Sequence, residues 1–131
     1  LRLYFVRHGE SEANQLHVIS NRDLPHGLTA KGREQSCILA DRFGGCGITQ
    51  IFTSPLLRAR QTAEILAHAW NLDMTVADAL QEYDCGLIEG RLDDASGQLH
   101  RQLRSDWLNY GLWERRIEQG ESFYRSNRSA F

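Results

Sequence analysis

Three short apolar runs alternate with two segments of helical period in the first eighty residues, and that alternation limits the possible folds more than any other feature of the chain. Residues 3–6 are continuously apolar, rich in aromatic and branched side chains, and stop at Arg7-His8-Gly9, the pattern of a buried strand emptying into a polar loop. Residues 29–43 follow as a helix. Thr29 can cap its first turn, Glu34 lies early in it and Gly44-Gly45 closes it. A second strand is expected over residues 48–53, ending at Ser54-Pro55. From residue 56 to 71, Ala59, Ala63, Leu66 and Trp70 recur at helical spacing and give an amphipathic helix with one buried stripe. Residues 74–80 read as a third strand. Strands and helices alternating at this spacing predict parallel pairing through helical crossovers, hence an α/β domain with helices on both sheet faces. In such sheets the chemistry gathers at the carboxyl ends of the strands. Arg7 and His8, then Arg58 beyond Ser54-Pro55, then Glu82 beyond Gln81, are therefore expected on one rim. Past Gly90 a helix is expected over residues 96–109, carrying Leu99, Leu103, Trp107 and Leu108, and another near Ser122.

At 131 residues, 41% hydrophobic and 24% charged, the chain is the size of one domain, taken as residues 1–131, with enough apolar surface to form a core without disulfides or metals. A formal net charge of −2 gives no basic field for nucleic acid. A small anionic substrate would need a local positive pocket. Fourteen of the fifteen basic residues are arginine, Lys31 being the other, and a guanidinium offers a planar fork suited to phosphate oxygens. Cys37, Cys46 and Cys85 are odd in number and lack metal-ligand spacing, so reduced thiols in a cytoplasmic protein are expected. No apolar stretch approaches membrane length. The oligomeric state is not legible.

The residues gathered on the rim suit one kind of chemistry. Transfer from a phosphomonoester dianion needs positive charge around the equatorial oxygens, an in-line nucleophile and a proton for the departing alkoxide. Arg7, Arg58, His8 and Glu82 are of those types. A neutral His8 can attack phosphorus through a ring nitrogen, and two neighbouring guanidiniums favour the neutral form. Glu82, in a partly dry site, can protonate the leaving oxygen and then serve as base for water. Asn14 can donate a further hydrogen bond to the phosphoryl group. Ser11 and Glu10 suit support of the loop. Each type also has a plainer use: Arg58 as a solvated helix arginine, Glu82 as a surface carboxylate, with Glu10 and Glu89 as competitors for the acid role. Lys31, Arg33 and Arg60 read as solvated helix faces, and Trp70 and Trp107 as packing. His17, His26, His68 and His100 are given no role. No carboxylate-rich cage is present, so no metal or cofactor is expected.

Arg7-His8-Gly9-Glu10-Ser11 with Asn14 resembles the signature of the phosphoglycerate mutase-like histidine phosphatases. Leu28-Thr29-Ala30-Lys31-Gly32-Arg33-Glu34-Gln35 is similar to that family's helix-opening segment, and residues 53–63, with Ser54, Pro55 and Arg58, to its second strand-to-helix turn. Glu82 with Gly86 and Glu89-Gly90 resembles its acid/base loop, and Gly120-Glu121-Ser122-Phe123 a later motif. The likeness is collinear over about nine-tenths of the chain. It implies a phosphoglycerate mutase-like sandwich with a mostly parallel sheet and a metal-independent phosphomonoesterase working through a phosphohistidine at His8 on small phosphorylated metabolites. It also implies a second histidine, on a strand lying between the first two strands; the sequence reaches Phe131 without one. The expectation is therefore an N-terminal portion of a longer domain. A cofactor-dependent phosphoglycerate mutase is the nearest alternative. Pro25 and Pro55 are the only prolines and just 29 residues separate Gly90 from Gly120, which disfavours the proline-rich insertion such mutases resemble. A non-catalytic module binding a phosphorylated ligand is the alternative of another class.

Overall fold

The computed structural model describes residues 1–22 and 24–123. Its elements run α1 (Glu12–Leu16), α2 (Ala30–Phe43), β1 (Ile51–Thr53), α3 (Leu57–Trp70), β2 (Met74–Val76) and α4 (Asp94–Tyr110), with 3₁₀ turns at Asp78–Leu80 and Gly86–Ile88. Local chemistry accounts for most boundaries. The Thr29 hydroxyl accepts from Gly32 N–H to start α2, and the Asp93 carboxylate accepts from Ser96 N–H to start α4. Asn71 (φ 52°) ends α3 and Gly111 (φ 64°) ends α4, both in the left-handed conformation that stops a helix.

β1 and β2 pair in parallel, Phe52 opposite Thr75, with α3 as the crossover that packs on both strands and α2 laid against α3. Trp70 on α3 donates its indole N–H to Ala40 O on α2 at 2.9 Å. A second cluster buries Ile19, Cys85, Ile88, Leu103, Trp107 and Ile117 under α4, with Tyr83, Trp113 and Phe123 packed against it. The long first loop and the loop after β2 thus share a core with α4. That shared core holds the two loops at one end of the sheet.

The expectations for all three strands are corrected. Residues 3–6 form no strand, and Leu3 and Phe5 are 66% and 92% exposed. Strand geometry requires a hydrogen-bonded neighbour, and the described ladder joins β1 to β2 alone. The second and third strands are shorter than expected, residues 51–53 and 74–76, and the third gives way to a 3₁₀ helix at Asp78. The helix expected near Ser122 falls almost wholly outside the described residues. In the other direction, the expected long loop contains α1, opened by a capping box in which Ser11 and Asn14 bond reciprocally.

Candidate active site

The loop after residue 6 is fixed by a close backbone approach. A Cβ on Gly9 would lie 2.3 Å from Gly32 O, and one on Gly32 would lie 2.0 Å from Glu10 O, so α2 touches this loop only because both residues are glycine. Gly9 N–H donates to Thr62 Oγ1 at 3.2 Å, and the same hydroxyl donates to Arg58 O on α3 at 2.9 Å. Glu10 braces the loop from outside, paired with Lys31 at 3.0 Å and accepting from Thr29 Oγ1 at 2.9 Å. Those two bonds hold its carboxyl below the usual carboxylate range. Ser11, fully buried, caps α1.

His8 is oriented by two contacts that also set its tautomer. Its Nδ1 lies 2.6 Å from Gly9 O, which can only accept, and its Nε2 lies 3.0 Å from Arg58 Nε, which can only donate. The proton therefore sits on Nδ1 and the lone pair on Nε2. Burial lowers the His8 pKa first; the bond to Gly9 O and the charge of Glu82 oppose that shift, while the charges of Arg58 and Arg7 reinforce it. The two guanidiniums singled out from the sequence do act in the expected direction, but burial is the larger cause.

Arg58 is 6% exposed, and a guanidinium so buried must be fully engaged. It donates from Nε to His8, from Nη1 to the Ser20 carbonyl and from Nη2 to Glu82 Oε2 at 3.2 Å. One side chain in the first turn of α3 therefore joins the histidine of the first loop to the carboxylate of the loop after β2. Glu82 is about half exposed, not in the partly dry setting expected of it. Arg7 is exposed and makes no hydrogen bond among the described residues, although its charge reaches His8. Asn14 is exposed; its Oδ1 accepts from Ser11 N–H and Oγ–H, each at 3.0 Å, and its amide nitrogen has no protein partner among the described residues.

Residues without a sequence signal complete the arrangement. The buried strip Ile19-Ser20-Asn21 supplies the carbonyl for Arg58, and Glu89 and Gln81 bind that strip from the acid-bearing loop. A strip inside an aperiodic loop has no hydrophobic period to betray its burial. Cys85, on the same loop, is fully buried and its thiol is pushed up to about 12 by burial and the neighbouring carboxylates, which disfavours the thiolate form. No cluster of three or more His, Cys, Asp or Glu able to hold a metal occurs among the described residues.

Comparison with known proteins converges on one family. Residues 3–128 match the model of the histidine phosphatase superfamily, branch 1. The chain is 38% identical over 123 residues to a probable phosphoglycerate mutase, GpmB, of Salmonella arizonae, covering 93% of this chain and 56% of that protein. Among solved structures it superposes on the alpha-ribazole phosphatase of Shigella flexneri with a TM-score of 0.73 at 27% identity, covering 95% of this chain and 60% of the other. The native mycobacterial glucosyl-3-phosphoglycerate phosphatase gives 0.64 at 26% identity, covering 88% and 53%. The chain thus spans somewhat more than half the length of the relatives it matches.

Proposed function

The chain belongs to branch 1 of the histidine phosphatase superfamily, and from that premise we propose that it serves a metal-independent phosphomonoesterase in which His8 is the nucleophile. The observation that carries this reading is the Arg58 bridge, which sets a neutral imidazole, its unprotonated Nε2 accepting from the guanidinium, and a carboxylate on either side of one buried arginine.

A phosphoryl dianion entering here offers acceptor oxygens to Arg58 and Arg7, and Arg58 exchanges its bonds to His8 and Glu82 for bonds to the substrate. That exchange frees the Nε2 lone pair. Nε2 then attacks phosphorus in line, the bond from phosphorus to the ester oxygen breaks, and the Glu82 carboxyl, released from Arg58 and having taken up a proton from solvent, passes that proton to the departing oxygen. Gly9 O keeps its bond to Nδ1–H as positive charge develops on the ring. In the second step water attacks the phosphohistidine, Glu82 takes the water proton, and inorganic phosphate leaves with Nε2 restored. Asn14, through its amide nitrogen, is the further donor to the transferring group, while Glu10 and Ser11 hold the loop.

Small phosphorylated metabolites are the proposed substrates. The similarity to both a probable mutase and phosphatases leaves transfer to a second hydroxyl as the rival outcome. No described helix is long and apolar enough to cross a membrane. A cytoplasmic setting is proposed, supported by three free cysteines. Release of inorganic phosphate from p-nitrophenyl phosphate in the presence of a chelator tests the reading: the activity should persist and should vanish in His8→Ala. Activity untouched by that substitution would reject it.

A further inference from the structure

Glu89 bonds to neither His8 nor Arg58, yet a continuous path joins it to both. Its Oε2 accepts from Asn21 N–H at 2.8 Å and its Oε1 from Cys85 N–H at 2.9 Å. Asn21 N–H and Ser20 C=O are the two ends of one planar trans peptide unit, so they point in opposite directions. On the far side of that unit the Ser20 carbonyl accepts from Arg58 Nη1, and Arg58 Nε reaches His8 Nε2.

Other bonds stitch this strip to the loop after β2. Ile19 N–H donates to Arg91 O at 3.0 Å, Gly90 N–H to Ile19 O at 2.7 Å and Gln81 Nε2 to Asn21 O at 3.3 Å. None of them touches the Ser20–Asn21 peptide unit. Among the described residues, Glu89 and Arg58 are that unit's only hydrogen-bond partners. A carboxylate on the N–H end fixes the tilt of the plane and polarises the carbonyl that receives the guanidinium. Meanwhile its second oxygen fastens Cys85, three residues after Glu82.

We propose that Glu89 is a positioning residue of the phosphoryl-transfer site, orienting Arg58, and through it His8, by way of the single Ser20–Asn21 peptide unit. This rests on the reading of His8 and Arg58 as nucleophile and phosphate clamp, and it assigns the second glutamate of the loop a role distinct from that of Glu82. Glu89 touches no reacting atom. Its effect reaches the nucleophile only through Arg58.

The test is an NMR-followed titration of the His8 ring in the full chain, comparing wild type with Arg58→Ala, Glu89→Ala, Glu89→Asp and the double variant Arg58→Ala/Glu89→Ala. The guanidinium helps hold His8 below its ordinary value, so Arg58→Ala should raise the titration midpoint. Glu89→Ala should raise it in the same direction, and the double variant should show no more than Arg58→Ala alone. Glu89→Asp keeps the charge but, one methylene shorter, cannot reach both N–H groups, and it should raise the midpoint as well. An unchanged midpoint in a folded Glu89 variant, or full additivity in the double variant, overturns the proposal. Should Glu89→Ala not fold, the aspartate variant decides by the same criterion. A merely structural role would lower the denaturation midpoint and leave His8 where it is. Trapping of a phosphoenzyme tests the underlying reading separately, so the two can fail independently.

Discussion

Arg58 Nε lies 3.0 Å from His8 Nε2 while the same guanidinium holds Glu82, so one arginine caps both the nitrogen we propose as nucleophile and the carboxyl group we propose as acid. On that proposal neither group acts until an anion takes the guanidinium for itself, and Arg58 serves both as phosphate clamp and as the brace between His8 and Glu82. Replacing it removes both functions. Arg58→Ala should lower kcat/KM for p-nitrophenyl phosphate by about 10²–10³-fold, the usual cost of losing a preorganised donor to a transferring group. Arg58→Lys should recover only part of that, because an ammonium cannot donate to His8, Ser20 and Glu82 in fixed directions. Steady-state kinetics on the two variants checks it.

The pH dependence follows from two histidines. His8 is lowered by burial, with the Arg58 and Arg7 charges adding to it; His100 is lowered by burial, then by Arg104 and Arg101. Both folded values lie below the unfolded value of about 6.5, so as pH falls the unfolded chain takes up these protons first. Their contribution to stability is therefore flat above about pH 7 and is lost as pH falls from about 6.5 through the folded values. Urea denaturation midpoints across pH 5 to 8 should show that slope, and His100→Gln should reduce it. The same lowering keeps His8 neutral into mildly acid solution, so the acidic limb of kcat/KM should lie below 6.5, the ordinary histidine value.

The approach of α2 to the first loop admits no side chain. Gly32→Ala would set a Cβ 2.0 Å from Glu10 O, a clash with backbone that no rotamer relieves. Overpacking of this kind costs about 1–3 kcal/mol or more, and the loop bearing His8 must shift to relieve it. Gly32→Ala should lower both the thermal midpoint and the activity. Gly45→Ala, where a Cβ meets nothing within 4 Å, should do neither.

Much of this arrangement could be read in the chain before its structure, and the misses share a cause. The helices were legible because their signals are local: Thr29 caps α2, Gly44 follows Phe43, and Ala59, Ala63 and Leu66 form the stripe of α3. The meeting of Arg58 and Glu82 follows from parallel topology, which sends the ends of β1 and β2 to one rim; His8 joins them although residues 3–6 form no strand, and Arg7 reaches His8 through its charge alone. Residues 3–6 carry the composition of a strand, but a strand is a relation between two segments and composition names only one. The Ser20–Asn21 peptide unit was invisible for a similar reason. Its importance lies in backbone groups, which every residue possesses. Asn14 shows the opposite limit: its Oδ1 is committed to the Ser11 cap, and only its amide nitrogen remains for a ligand.

That division within Asn14 separates two substitutions. Asn14→Asp keeps an acceptor for Ser11 N–H but replaces the free donor with negative charge, so it should leave the fold intact and raise KM. Ser11→Ala removes the cap from a fully buried position and should cost about 1 kcal/mol of stability. Thermal denaturation set beside KM for each variant distinguishes the two effects.

The central claim is that His8 Nε2 carries the phosphoryl group. Rapid acid-free quenching of the full chain with ³²P-labelled substrate, followed by peptide mapping, tests it most directly. The account predicts label on the peptide containing His8, stable in base and lost in acid, and absent from His8→Ala. Label on another residue, or unchanged turnover in His8→Ala, would contradict it.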